Sequence, residues 1–154
     1  MMSEYQRTTR ECSLESLSPV LGTAVRHYSH THELGNLLET ALFCGETTAT
    51  KQKRGFFGRK TETTLTGFLL APPWLIWAVS KNNEPPAVLA VRLRDIQVQD
   101  YEQSEMYKLV PDAGIDISGL RTDAEAVGTA FIGLGPEPAA QKFRELLHQA
   151  VKNA

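Results

Sequence analysis

A chain of 154 residues has room for one domain with a single core and a few accessory elements. Hydrophobic residues make up 42% of it and charged residues 22%, which excludes wholesale disorder. The net charge of −2 conceals an asymmetry: residues 51–60 hold five cations and no acid, while the rest of the chain carries 11 cations against 18 acids, so an anionic partner is favoured at that patch alone.

Residues 1–12 are polar and without period, and read as a flexible arm. Glu4, Arg7, Arg10 and Glu11 are unlike a signal peptide. From Leu14 the apolar positions Leu14, Leu17, Leu21, Val25 and Tyr28 recur at helical spacing. Pro19 after Ser18 suits a first-turn proline, so the main helix starts there and residues 13–17 form a separate turn. A second short helix over Thr31 to Glu39 would present Leu34, Leu37 and Leu38, although Gly35 weakens it. Residues 13–38 are thus an N-terminal helical segment that must bury its stripe on something.

Near Thr40 the period changes from 3.6 to 2. Ala41 to Thr50 and Thr61 to Leu70, rich in β-branched residues, read as two strands. They flank Lys51-Gln52-Lys53-Arg54-Gly55-Phe56-Phe57-Gly58-Arg59-Lys60, in which the two glycines supply the backbone freedom of a hairpin tip. Pro72-Pro73 forces a turn, and Trp74 to Ser80 follows as a third strand. Its two tryptophans stand three apart and face opposite ways, one into the core and one beneath the N-terminal helix, unless that helix docks on a neighbouring copy.

Lys81 to Pro86 is a turn, Ala87 to Leu93 a fourth strand and Asp95 to Tyr101 a fifth. Ser104 to Asp112 fits either a short helical turn or a loop. Ile115 to Ile117 is a sixth strand and Val127 to Leu134 a seventh. From Pro138, the residues Phe143, Leu146, Leu147, Ala150 and Val151 lay one apolar stripe along a C-terminal helix.

Seven short strands in meander order followed by one amphipathic helix resemble the pleckstrin-homology (PH) superfold with its GRAM-like and bacterial PH relatives. The likeness rests on Leu42-Phe43-Cys44-Gly45-Glu46, on Thr64 to Leu70 with Trp74-Leu75-Ile76-Trp77, on Val91 to Ile96, and on the helix from Pro138 to Val151. It covers about residues 38–152, giving a PH-like domain over 39–154. The resemblance implies a mainly β fold with α, a bent seven-stranded antiparallel sheet or barrel capped by the C-terminal helix. It also implies a binding module without catalysis or cofactor. Members of the family bind ligands at the loop between the first two strands, often phosphoinositide head groups held by a Lys and an Arg. Here Lys51, Lys53, Arg54, Arg59 and Lys60 occupy that loop, with Arg59 or Lys60 approximating the family's arginine. Other members bind proteins or self-associate.

The candidate site is therefore Lys51, Lys53, Arg54, Phe56, Phe57, Arg59 and Lys60, read either as cations that meet an anionic surface while the phenylalanines enter it, or as a solvated tip whose phenylalanines fold back on the barrel or meet another subunit. Its expected partner is an anionic lipid or an acidic protein surface. Five cations are too small a footprint for nucleic acid. The alternative is self-assembly as a homo-oligomer through sheet edges or the leading helix. His27, His30 and His32 lack the further ligands of a metal site and read as a helix-end group. Asp95, Asp100, Glu102 and Asp116 have two readings, convergence on one site or a solvated acidic face, and dispersed as they are they read as the face. No phosphate loop, nucleophile elbow or zinc motif is present, so the chain reads as a non-enzyme. Cys44 reads as a buried thiol and Cys12 as exposed and incidental, both in reduced surroundings. The longest apolar run, Gly67 to Val79, is broken by prolines and too short to span a bilayer. The whole reads as a soluble cytoplasmic protein able to sit peripherally at a membrane.

Overall fold

The computed structural model describes residues 4–55, 58–121 and 127–154; the side chains of Leu38, Lys53, Arg54, Arg59 and Val127 also lie outside the described part. The architecture is mainly β. A five-stranded antiparallel sheet runs in the order β1 (Gln6–Glu11), β2 (Phe43–Gly55), β3 (Gly58–Ala71), β4 (Trp74–Lys81) and β5 (Ala87–Arg92). A three-stranded antiparallel sheet follows, formed by β6 (Gln97–Asp100), β7 (Gly114–Arg121) and β8 (Val127–Gly133). The helices are α1 (Pro19–Thr31), the single turn α2 (Leu37–Thr40) and α3 (Pro138–Lys152). Among the described residues no helix is long and apolar enough to cross a membrane.

The period-2 alternation of β3 and β4 sorts their side chains onto two buried faces. Phe68, Leu70, Leu75 and Trp77 point inward. There they join Leu93, Ile96, Ile115, Ile117, Ile132 and Leu134 from the second sheet and its approach, and Ala140, Phe143 and Leu147 from α3. The intervening Leu69, Ala71, Ile76 and Ala78 point outward and are covered by Leu14, Leu17, Leu21, Val25 and Leu37. Trp77 is therefore in the core and Trp74 lies against the layer beneath α1, as their spacing predicts. Gly67 admits α1 to close range, since a Cβ there would stand 3.2 Å from Leu17 and Leu21. Glu46, buried on β2, fixes the start of α1: its carboxylate accepts from Ser18 N (2.7 Å) and Ser18 Oγ (2.8 Å).

Three expectations are corrected. The flexible arm over residues 1–12 instead contains β1, which pairs antiparallel with β2 from Gln6↔Thr50 to Glu11↔Gly45. Its sequence carries no apolar alternation because its buried position is Thr9, whose Oγ1 hydrogen-bonds Thr47 Oγ1 at 2.8 Å. The second helix shrinks to Leu37–Thr40, because Glu33 (φ 53°) and Gly35 (φ 87°) adopt left-handed backbone that no helix continues through.

In place of one bent seven-stranded sheet or barrel, the described residues form eight strands in two separate sheets. On one side the 3₁₀ turn Leu93–Asp95 separates β5 from β6. On the other, β1 meets the segment after β8 through side chains and loop backbone: Gly135 N donates to Thr9 Oγ1 (2.8 Å) and Thr9 N donates to Glu137 Oε1 (2.6 Å). Smaller shifts are local. The segment Ser104 to Asp112 contains a 3₁₀ turn, Glu105–Lys108, and β7 extends well beyond the expected Ile115–Ile117.

Candidate functional site

Strands β2 and β3 are the longest in the molecule's described part, and their ladder outruns both neighbours. Pairing with β1 ends at Gln6↔Thr50, and pairing with β4 ends at Thr64↔Lys81. Beyond those rungs β2 and β3 continue through Lys51↔Glu62, Gln52↔Thr61, Lys53↔Lys60, Arg54↔Arg59 and Gly55↔Gly58 with no third strand paired to them among the described residues. Five rungs at a rise of about 3.4 Å per residue make a two-stranded arm roughly 17 Å long. The register sets lysine opposite lysine and arginine opposite arginine, two pairs of like charge that oppose the pairing they decorate. Gly58 turns the chain with φ 124°, a value that favours glycine.

At the root of the arm, Lys51 is engaged. Its Nζ lies 2.7 Å from Glu4 Oε2 and 5.3 Å from the centre of the Tyr5 ring, and the Glu4 carboxylate holds the ammonium above its ordinary pKa. Opposite it, Glu62 is buried and pairs with Lys81 at 2.9 Å. Lys60 is exposed. The backbone of Lys53, Arg54 and Arg59 belongs to the ladder, whereas Phe56 and Phe57 lie outside the described residues. The described candidate residues, Lys51, Lys53, Arg54, Arg59 and Lys60, thus belong to one two-stranded element, with Lys51 at its base.

Sequence reasoning missed a second charged region. A groove of about 510 Å³ lies between β1, the 101–113 segment and the start of α3, lined by Arg7, Glu102, Asp112, Glu137 and Arg144 among others. Arg7 grips Asp112 with Nε (2.9 Å) and Nη2 (2.7 Å). Arg144, buried on α3, reaches Glu102 Oε2 (2.8 Å), Asp100 Oδ1 (3.1 Å) and the Gly114 carbonyl (3.0 Å). Burial of Asp100 raises its pKa, but hydrogen bonds from His148 and Arg144 outweigh that and hold the carboxyl below its ordinary value. Of the four carboxylates read as a solvated face, Asp100 and Glu102 therefore converge on one arginine, and Asp116 stands apart on β7. The spacing of Asp100 and Glu102 gives no hint of this, because their partner is more than 40 residues away.

Of the three histidines near the end of α1, His32 serves the helix end. His32 Nδ1 lies 3.1 Å from the Tyr28 carbonyl, and its ring stacks on Tyr28 with centroids 3.9 Å apart. Among the described residues no three His, Cys, Asp or Glu side chains gather to hold a metal ion. The exposed apolar side chains Met106, Tyr107, Leu109 and Val110 crowd the turn before β7. No family model, no curated protein and no solved structure matches this chain.

Proposed function

We propose that this chain is a PH-like interaction module without catalytic activity that docks on anionic bilayers through the β2–β3 arm. The fold part of the reading is supported by the order of elements: strands β2 to β8 run as a four-strand and a three-strand antiparallel set, and α3 plugs the core between them. A non-catalytic role is supported by the groove, whose arginines are spent on structural ion pairs. Membrane docking rests above all on the arm, where four cations occupy two facing rungs past the end of either flanking strand.

Like charges on facing rungs cost the hairpin stability, and an anionic surface would offset that cost. Near such a surface each Lys or Arg contributes about 1 kcal/mol, and a phenylalanine buried fully about 1.5–3 kcal/mol. The two residues joining the strands are Phe56 and Phe57, so the tip combines both contributions. The binding is weak, reversible and salt-dependent. In co-sedimentation with vesicles containing about one-third phosphatidylserine, the chain pellets at low salt and less at physiological salt. Lys53→Glu plus Arg54→Glu weakens this by about thirtyfold or more, because two attractions become repulsions. Failure of the unmodified chain to pellet at either salt removes the membrane reading.

A second reading, self-assembly, is favoured by β5, which ladders only with β4 among the described strands and exposes Leu89. Light scattering separates the two: a monomer at every concentration removes assembly and leaves the arm.

A further inference from the structure

We propose that Cys12 and Cys44 form a reversible dithiol–disulfide site that closes by exchange with a low-molecular-weight disulfide. The correction of the N-terminal arm to a strand brings them together. Cys12 continues β1 by one residue, and its N–H donates to the Cys44 carbonyl at 2.9 Å, which extends the Glu11↔Gly45 register by one rung. Their Sγ atoms lie 3.8 Å apart. Directly facing, hydrogen-bonded residues of an antiparallel pair have Cα atoms about 5.5 Å apart, inside the range of about 4.4–6.8 Å that disulfides span. The Cβ atoms of such a pair stand about 5.5 Å apart, beyond the about 3.5–4.5 Å of a disulfide, so joining them takes side-chain rotation and a small inward shift of the chain at Cys12, just past the end of β1.

Access is unequal. Cys12 is partly exposed and Cys44 is buried, and both line a surface cavity of about 240 Å³ with Leu37, Leu42 and Leu69. This geometry divides the work. Cys12 is the entry thiol: the hydrogen bond with Cys44 lowers its pKa, burial opposes, and Arg10 lowers it further. Cys44 is the resolving thiol, held protonated above the ordinary range by the same hydrogen bond and by burial.

The exchange balances. The Cys12 thiolate attacks one sulfur of the small disulfide, whose S–S bond breaks, and the departing thiolate takes up the proton that Cys12 released. Cys44 then loses its proton and attacks the Cys12 sulfur of the mixed disulfide, expelling the second small thiol, which carries that proton away. The protein gives up two electrons, and the small disulfide becomes two thiols. The new bond staples β1 to β2 and closes a loop that contains the whole of α1 and α2. It restrains the strand whose far side reaches Asp112, Gly135 and Glu137.

The test uses the full chain, equilibrated with mixtures of reduced and oxidised glutathione, quenched by thiol alkylation and weighed intact. The expected result is a passage from two alkylated thiols to none, with the loss of two hydrogen masses and no retained glutathione. Cys44→Ala is expected to stop at glutathione on Cys12, and Cys12→Ser to stay unmodified. On thermal melting, the oxidised chain is expected to melt several degrees above the reduced one, a difference absent from Cys12→Ser. Two outcomes overturn the proposal: both thiols remaining open to alkylation in excess oxidised glutathione, or the unmodified chain halting at a stable mixed disulfide on Cys12.

Discussion

Phe143→Ala is expected to lower the stability of this domain by about 3–5 kcal/mol, the range for deleting a fully buried aromatic ring. Phe143 has no exposed surface. Its ring centre lies 4.4 Å from that of Phe68 on β3 and 5.5 Å from that of Phe43 at the start of β2, so one α3 side chain ties the helix to both strands that carry the arm. The loss removes the transfer free energy of the ring and leaves a cavity that rigid neighbouring strands fill poorly. For a chain of this length the midpoint of thermal unfolding should fall by about 10–15 °C. Gln141→Ala, on the exposed side of the same helix, should stay within about 0.5 kcal/mol. Equal effects at the two positions would show that α3 does not plug the core.

The next largest effect is expected at the neighbouring residue, for a different reason. Arg144→Met keeps the length of the side chain but leaves Asp100, Glu102 and the Gly114 carbonyl without their shared donor. Removing one partner of a fully buried ion pair costs about 3–5 kcal/mol. The two carboxylates here are about one-third exposed and can recover some hydration, so about 2–3 kcal/mol is expected.

The pH dependence distinguishes this loss from a packing defect. The Asp100 carboxyl is held below its ordinary value when folded, so the stability it contributes is present above its unfolded pKa of about 3.9 and is lost as pH falls through the folded value. Chemical denaturation should therefore show a large gap between the unmodified chain and Arg144→Met at pH 7, and a much smaller one near pH 2–3. A gap of constant size would mean that the guanidinium acts by filling space.

The two corrections with consequences for function share one cause. Apolar periodicity reveals α1, β3, β4 and α3, because those elements bury many side chains and the pattern of burial is written into their residues. Strand β1 buries chiefly Thr9 and is held by its backbone ladder, by the Thr9–Thr47 contact and by Arg7 gripping Asp112, none of which leaves a period in Gln6–Glu11. With β1 unseen, Cys12 reads as incidental and the convergence on the groove has no visible partner.

The candidate site was legible in composition, since five cations in ten residues need no structure to be noticed. Its register was not. That Lys53 faces Lys60 and Arg54 faces Arg59 depends on Gly55 pairing with Gly58, and the projection of the arm depends on where β1 and β4 stop. Likewise, the division into two sheets turns on the 3₁₀ turn at Leu93–Asp95, whose Leu93 and Ile96 are as apolar as strand residues and as deeply buried.

Hydrogen–deuterium exchange of the full chain, followed by mass spectrometry with and without vesicles containing about one-third phosphatidylserine, tests the role of the arm most directly. Among the described residues no third strand pairs with these five rungs, so the amides of the arm beyond its covered root at Lys51 and Glu62 should exchange quickly in the free chain. Membrane docking through this element predicts slower exchange in peptides covering residues 51–62, with β7, β8 and α3 unchanged. Protection centred on the exposed apolar turn at residues 105–110 or on β5, with 51–62 unaltered, would contradict it.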